Sequence, residues 1–382
     1  MVGLKRISLV ASAAISLSGC GLWSGSNEIE PQSLVDFEAD KSFDVRWSAD
    51  IGASLGDRFH QLEPTVSGQS IIVADAAGNV TSLEPETGKR IWQVDLDGAI
   101  AAGVGFGQET AAIVLDTGEL VALSSVDGSE NWRTQLTSEV TAAPQIDAVK
   151  IVVQQVNGQV AAYDRVTGEK RWAYDAQEPA LTLRGTGTPL LLSDGVLAGF
   201  ANGKVVALAA DSGTPAWELR VNEALGRSEL ERLVDLDGGF TVSGDLVFTG
   251  GYQGRVVAIN PRTASTVWTQ RFSTYQELAA GFGNVYAVDS AGAVEAFDAA
   301  SSASVWRNSD FANRRLSAPV TLGNSVVVGD AYGYLHALSQ VDGRPLARIS
   351  LDGSAIFADP VVFGDSVYIL SNSGKLSALT LK

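Results

Sequence analysis

Short apolar runs separated by polar turns divide this chain into similar units. One unit has β-branched residues at 151–153, the dipeptide Asn157-Gly158 and a second apolar run at 160–163. Asn-Gly is a strong hairpin signal because both residues tolerate positive φ. A turn at 164–168 then leads to a strand that carries Trp172. Each unit therefore predicts several short antiparallel strands, and helix signals are almost absent across the units.

The unit recurs at a period of roughly 40 residues, which is typical of one blade of a β-propeller. The first glycines of the eight units are Gly78, Gly118, Gly158, Gly203, Gly254, Gly292, Gly333 and Gly374. Three or four short strands cannot bury both of their faces alone, so neighbouring blades must cover them. We predict an all-β fold, an eight-bladed β-propeller spanning residues 42–382.

A Trp recurs near the end of most units, and we interpret it as a wedge between adjacent blades rather than as a ligand-binding residue. The seventh unit is the exception, with Ala347 at this position. The eighth unit stops before its Trp strand. Residues 43–47 supply a candidate strand at the other end of the chain, and Trp47 would then take the missing position. Such pairing closes the ring and removes a free sheet edge.

The first nineteen residues have the pattern of a secretory signal, with Lys5 and Arg6 before an apolar run at 7–17. The run is too short to be a stable membrane span. Residues 17–20, Leu-Ser-Gly-Cys, resemble the bacterial lipobox, which implies that Cys20 is lipidated and becomes the new N-terminus. Cys20 is the only cysteine, so no disulfide forms within the chain. The polar segment 20–41 is predicted to be a lipidated tether.

The formal net charge is −17, and removal of the signal takes away two positive charges and no negative ones. A surface this acidic argues against nucleic acid as a partner, because phosphates require basic side chains. The simplest interpretation of the charge is that it keeps the domain soluble.

Candidate catalytic residues are few. The two histidines, His60 and His336, lie in different repeats, and no cysteine joins them in a zinc set. His336 occupies an ordinary strand position, which favours a structural role. Residues 52–56 match the letters of a nucleophile elbow, but no helix pattern follows them. We therefore predict no catalytic residue, no metal and no cofactor.

Two connections depart from the repeat, and insertions in repeat proteins tend to carry function. The first spans 178–185 and contains Leu181, Leu183 and Arg184. The second spans 223–237, the most plausible helical stretch followed by Asp235 and Asp237. Both belong to the same stage of neighbouring units, so we expect them side by side on one rim. Arg184 could pair with either aspartate there or meet a partner; alternatively, the leucines are core residues and the arginine is an ordinary surface charge.

The lipobox, the tether, the eight repeats and three segments together resemble the BamB family, the lipoprotein subunits of the β-barrel assembly machinery in Gram-negative outer membranes. The segments are 181–185, 231–237 and 329–335. Gly21 after the lipidated position also resembles lipoproteins sent to the outer membrane. The resemblance covers essentially the whole chain. It implies a non-catalytic scaffold, lipid-anchored in the outer membrane and facing the periplasm, that assists outer-membrane proteins to fold and insert.

The resemblance also implies partners: the POTRA domains of BamA, other subunits of the machinery and nascent outer-membrane proteins. Leu181, Leu183, Arg184, Asp235 and Asp237 match the family's BamA-binding loops. The leucines would supply buried anchors, and Arg184 would bind a carboxylate or carbonyl of the partner. The aspartates would orient a basic partner or Arg184 itself. The chain departs from its own pattern at 238–240, where Gly-Gly-Phe replaces the Pro that opens most blades.

The repeat also resembles that of quinoprotein dehydrogenases, so a quinone-dependent enzyme is the alternative function, together with a sugar-binding propeller. Those enzymes are much longer and use a vicinal Cys pair, which this chain lacks. The likeness therefore covers the scaffold and not the site. Stoichiometric binding of the quinone with calcium would distinguish the two classes.

Overall fold

Alternation of short apolar runs with tight turns produces a ring of small sheets. The computed structural model describes residues 30–53, 62–179, 182, 187–223, 234–236 and 238–382. These residues contain thirty-two strands and no helix, arranged as eight four-stranded antiparallel sheets. The eight-bladed propeller predicted from the repeat is confirmed. The expected helix at 223–234 lies almost entirely outside the described residues.

In chain order, the strands of the first half are β1 (Phe43–Asp50), β2 (Thr65–Ser67), β3 (Ser70–Ala74), β4 (Asn79–Leu83), β5 (Arg90–Asp95), β6 (Gly105–Gly107), β7 (Thr110–Val114), β8 (Glu119–Ser124), β9 (Glu130–Gln135), β10 (Gln145–Ile146), β11 (Lys150–Gln154), β12 (Gln159–Asp164), β13 (Lys170–Asp175), β14 (Leu190–Leu191), β15 (Gly195–Gly199), β16 (Lys204–Ala209) and β17 (Pro215–Arg220). Those of the second half are β18 (Thr241–Ser243), β19 (Leu246–Thr249), β20 (Arg255–Asn260), β21 (Ser265–Arg271), β22 (Ala279–Gly281), β23 (Asn284–Val288), β24 (Val294–Asp298), β25 (Ser304–Asn308), β26 (Val320–Leu322), β27 (Ser325–Gly329), β28 (Tyr334–Ser339), β29 (Pro345–Ser350), β30 (Val361–Phe363), β31 (Ser366–Leu370) and β32 (Lys375–Leu381).

Blades 1 to 7 are formed by successive groups of four strands, from β2–β5 to β26–β29, and blade 8 by β30–β32 with β1. The first strand of each blade is innermost; β2, for example, contacts both β6 and β30. The ring closes as predicted, because β1 pairs antiparallel with β32 from Phe43 opposite Leu381 to Asp50 opposite Lys375. The pairing covers the edge of β32, and β1 becomes the outermost strand of blade 8.

The recurrent Trp joins each blade to the next. The indole nitrogen of Trp132 donates to the carbonyl of Arg165 at 2.9 Å, and that of Trp172 donates to Ala210 at 3.0 Å. Trp47 does the same at the closure, with Pro85 as its acceptor at 2.8 Å. In each of these blades the Trp strand itself has a β-bulge at the residue directly before the Trp. The interpretation of these residues as wedges between blades is confirmed.

Ala347 marks the one junction that needs no Trp. In six of the other seven blades the indole nitrogen donates to the turn between the third and fourth strands of the next blade. In blade 8 those strands are β32 and β1, which no turn connects. Ala347 is instead buried with Leu379 and beside the half-buried Phe43. The exception in the repeat therefore follows from how the ring closes.

Small and β-branched residues of the middle strands form the core between blades. Ile151, Val153 and Ala161 of blade 3 are fully buried in one cluster with residues of blade 2. Every blade contributes to such a cluster because its faces meet those of its neighbours. The described ranges contain no helix that is long and apolar enough to cross a membrane.

Candidate partner-binding face

Antiparallel order gives the propeller two different faces. One carries the hairpins between the first two strands and the turns between the last two strands of each blade. The other carries the hairpins between the middle strands and the segments that link one blade to the next, such as 96–104 and 272–278. We call this second surface the connection face. Both segments that depart from the repeat, between β13 and β14 and between β17 and β18, belong to it.

These two connections touch each other. A Cβ placed on Gly187 of the first would lie 2.7 Å from the carbonyl oxygen of Leu236 in the second. Leu236 is buried, and its side chain also covers Gly199 of blade 4. The two departures from the repeat therefore meet above blade 4, in agreement with the expectation that they emerge side by side.

Among the predicted site residues, only Asp235 lies within the described part of the chain; Leu181, Leu183, Arg184, Asp237 and the lipidation residue Cys20 lie outside it. Asp235 is 0% exposed. Its carbonyl accepts a hydrogen bond from the amide of Tyr252 at 3.0 Å, which ties the second connection to blade 5. The side chain of Asp235 is therefore covered by the protein itself, and its backbone joins the connection to blade 5.

Glu178 fixes the start of the first connection. Its carboxyl group lies close to the backbone amides of Ala201 and Asn202 in blade 4, which favour its charged form. The side-chain amide of Asn202 donates in return to the carbonyl of Gln177 at 2.8 Å. Burial, and next the negative charge of Asp235, raise the pKa of Glu178 to about 7 against the effect of these two backbone amides. The two connections are therefore coupled electrostatically through Glu178 and Asp235, and also by the packing of Gly187 against Leu236.

Three carboxyl groups lie at the mouth of the ring on the same face. Glu63, Glu277 and Asp359 line a cavity of about 320 Å³ together with the starts of β22, β26 and β30. Asp359 accepts a hydrogen bond from the amide of Ala318 at 2.8 Å and one from the carboxyl of Glu63. These residues come from distant parts of the chain, so the fold concentrates carboxyl groups at one opening.

Burial gives the mouth carboxyls unusual proton affinities. Burial, followed by the charge of Asp359, raises the pKa of Glu277 to about 8. Burial raises the pKa of Asp359 to about 6, and burial together with the charge of Asp359 holds the pKa of Glu63 well above its ordinary value. Removing a carboxylate from water favours its protonated form. At neutral pH the mouth therefore holds protons that exposed carboxylates would have released.

The repeat pattern did not predict this cluster, although the sequence contains a signal for it. Glu63 and Asp359 directly precede Pro64 and Pro360, the prolines that open their blades. In the other blades that open with Pro, the residue before the Pro is Ala or Thr. No group of three or more metal-ligating side chains within the described residues is arranged to hold a metal ion.

The Gly-Gly pair at 238–239 has a steric reason. A Cβ on Gly239 would lie 2.4 Å from a carboxylate oxygen of Glu277, and one on Gly238 would lie 2.6 Å from the carbonyl of Gln276. Gly239 also has a φ of +57°, where side chains are strained. The departure from the blade-opening Pro therefore makes room for the segment that carries the mouth carboxyl Glu277.

Comparison with known proteins agrees with this architecture. A family profile described as "Outer membrane protein assembly factor BamB" matches residues 76–308 and 291–382. The chain is 39% identical to the outer membrane protein assembly factor BamB of Pseudomonas aeruginosa over 382 residues, with 100% of both chains covered. It is 32% identical to that of Shewanella oneidensis, which covers 97% of this chain and 98% of the relative.

Solved structures show the same fold. The crystal structure of BamB from Moraxella catarrhalis superposes with a TM-score of 0.82 at 28% identity, covering 88% of this chain and 99% of that one. The quinohemoprotein alcohol dehydrogenase of Comamonas testosteroni gives 0.72 at 14% identity, covering 91% and 78%, which reflects the propeller scaffold alone. Because the profile and the relatives span most or all of the sequence, this chain belongs to the BamB family of outer membrane protein assembly factors.

Proposed function

We propose that this chain is a non-catalytic scaffold lipoprotein that binds the periplasmic POTRA domains of BamA through the connection face. As a family member it is an outer membrane protein assembly factor. The observation that carries the proposal is the contact between Gly187 and Leu236, which joins the two connections that depart from the repeat. Function in repeat proteins concentrates in such loops.

The described residues support different roles for different residues on this face, some positioning the connections and others contacting the partner. Asp235 is buried and Glu178 is partly buried at the base of the two connections, so they would position the residues that contact the partner. Leu181 and Leu183 would enter apolar pockets of a POTRA domain, and Arg184 would bind a carboxylate or carbonyl there. Apolar and Arg anchors surrounded by a polar rim are typical of interface centres. Asp237 would orient Arg184 or a basic group of the partner.

The remaining parts of the proposal concern location. Lipidation of Cys20 would hold the propeller at the periplasmic surface of the outer membrane, beside the other subunits of the machinery. Nascent outer-membrane proteins are a further partner class, because outermost strands such as β5 and β21 have unpaired edges that could receive an added strand.

The test is recovery of BamA from detergent-solubilised outer membranes by the full chain. We expect the wild type to recover BamA and the Leu183→Ala/Arg184→Ala variant to recover several-fold less. The matched control is Val126→Ala/Arg262→Ala, which alters an exposed apolar residue and an exposed arginine on the opposite face. Equal recovery by all three chains would move the interface away from the connection face, and recovery by none would contradict the proposed partner.

The enzymatic alternative has a separate test. Titration of the chain with pyrroloquinoline quinone and calcium should give no stoichiometric complex if the protein is a scaffold. A complex with one bound quinone per chain would contradict the non-catalytic function.

A further inference from the structure

Residues 31–41 pack against the propeller and do not form a free linker. We call this segment the strap. The amide of Gln32 donates to the carbonyl of Ala312 at 2.9 Å, and the amide of Lys41 donates to Leu346 at 3.0 Å. Between these points, Leu34 packs against the buried cluster shared by blades 6 and 7. The strap is therefore attached at both ends and in the middle, although its composition is that of a polar linker.

Two arginines of the propeller hold the backbone of the strap. Arg314 donates from Nη1 to the carbonyl of Gln32, and Arg348 donates from Nη2 to the carbonyl of Val35, both at 3.1 Å. The guanidinium carbon of Arg348 also lies 5.0 Å from the centre of the Phe37 ring. Because the arginines bind backbone carbonyls, they fix the path of the strap and depend little on its side chains.

A buried network holds the two arginines in place. Asp330 is fully buried, and its Oδ2 accepts hydrogen bonds from Arg314 Nε at 2.8 Å and His336 Nε2 at 3.0 Å. The other nitrogen of His336, Nδ1, accepts from Arg348 Nε at 3.3 Å. His336 must then be neutral with its proton on Nε2, and burial lowers its pKa in agreement. The segment 329–335, which resembles the BamB family, thus forms the centre of this network.

Docking changes how far a lipid on Cys20 can stand from the propeller. An extended chain spans at most about 3.5 Å per residue, so the link from Cys20 to Pro31 reaches roughly 40 Å. If the strap were free, the link would run to β1 and reach roughly 75 Å. The docked strap therefore halves the reach and makes it start at blades 6 and 7.

We propose that the surface formed by Ala312, Arg314, Leu346 and Arg348 is a docking site for the chain's own strap, which shortens the lipid anchor's leash and sets the side of the propeller that faces the membrane. This inference rests on the proposed lipid at Cys20. The strap meets blade 7, whereas the two special connections meet above blade 4, three positions away in the ring. Because Ala312 lies in the link between β25 and β26, the strap starts on the same connection face as these two segments but at a different side of the ring.

Hydrogen exchange of the full-length lipoprotein in detergent tests the docking. The amides of Gln32 and Lys41 should exchange slowly in the wild type and at least tenfold faster in Leu34→Ala/Phe37→Ala. Both substitutions lie in the strap, so the propeller folds regardless. The control is Val126→Ala/Phe282→Ala, at exposed apolar positions away from the strap. Equally fast exchange of the two amides in wild type and strap variant would overturn the docking site.

Energy transfer to vesicles of phosphatidylethanolamine and phosphatidylglycerol tests the leash. Cys20 is the only cysteine and would be occupied by lipid, so Val341→Cys in blade 7 and Val166→Cys in blade 3 can each carry a donor dye. The efficiency of energy transfer to an acceptor lipid should differ between the dye at position 341 and the dye at position 166. In the strap variant the efficiency of energy transfer should fall, and the difference between the two dyes should become smaller. Unchanged transfer would overturn the leash, whereas failure of the wild type to bind vesicles would overturn the lipid at Cys20 itself.

Discussion

The indole ring of Trp92 lies directly over Gly128 of the next blade. A Cβ on Gly128 would come within 2.7 Å of ring atom Cε3, and the indole nitrogen donates to the neighbouring carbonyl of Ser125 at 2.8 Å. The same arrangement joins Trp132 to Gly168. In the blades that have it, the glycine in the turn between the third and fourth strands therefore makes room for the Trp of the preceding blade, so these two features of the pattern describe one contact.

Substitution at this glycine should loosen the junction between blades 1 and 2. Gly128 has a φ of +75°, so Gly128→Ala meets backbone strain of about 1–2 kcal/mol. The methyl group must also displace Trp92, and overpacking adds about 1–3 kcal/mol. Gly244→Ala is the matched control, because its φ is +60° and nothing lies within 4 Å of the added Cβ. Denaturant titration should show the larger loss for Gly128→Ala; equal losses would mean that the Trp contact is easily rearranged.

The buried network beneath the strap should matter far more than a surface ion pair. Asp330→Ala leaves Arg314 and His336 buried without their acceptor, and breaking a buried pair costs about 3–5 kcal/mol. Arg46→Ala breaks the exposed pair with Asp365, worth about 0–1 kcal/mol. Unfolding free energies of the two variants should differ accordingly. Similar values would show that the network contributes little to folding.

The period of the pattern predicted much of this fold, while contacts between distant segments escaped it. The blades follow from a repeat that each unit satisfies locally, and closure by Trp47 follows from the strand that the last unit lacks. The mouth carboxyls come from Glu63, Glu277 and Asp359, and only the ring brings them together. The strap has no periodicity, because its partners are arginines that bind backbone. The burial of Asp235 was equally invisible, since an acidic residue in a loop normally indicates exposure.

The mouth carboxyls should make stability depend on pH. Glu277 has a pKa of about 8, above its ordinary value of 4.5, so the folded protein retains a proton that the unfolded chain releases. Its burial is therefore neutral for stability below pH 4.5 and increasingly destabilising as the pH rises toward 8. Glu277→Gln should raise the melting temperature at pH 9 and leave it nearly unchanged at pH 4. The exposed Glu86→Gln is the control, and a gain that is equal at both pH values would contradict the shift.

Glu178 should act on partner binding through the connection that it holds. Glu178→Ala removes the carboxyl group that lies close to the amides of Ala201 and Asn202, so both amides should exchange hydrogen faster while the melting temperature changes little. Glu178→Gln retains one acceptor oxygen and should restore much of the protection. If the connection presents the partner-binding residues, recovery of BamA should follow the same order, with wild type highest, Gln intermediate and Ala lowest. Loss of amide protection in Glu178→Ala with full recovery of BamA would show that this end of the connection does not shape the interface. Unchanged protection would instead remove Glu178 as a positioning residue, whatever the partner.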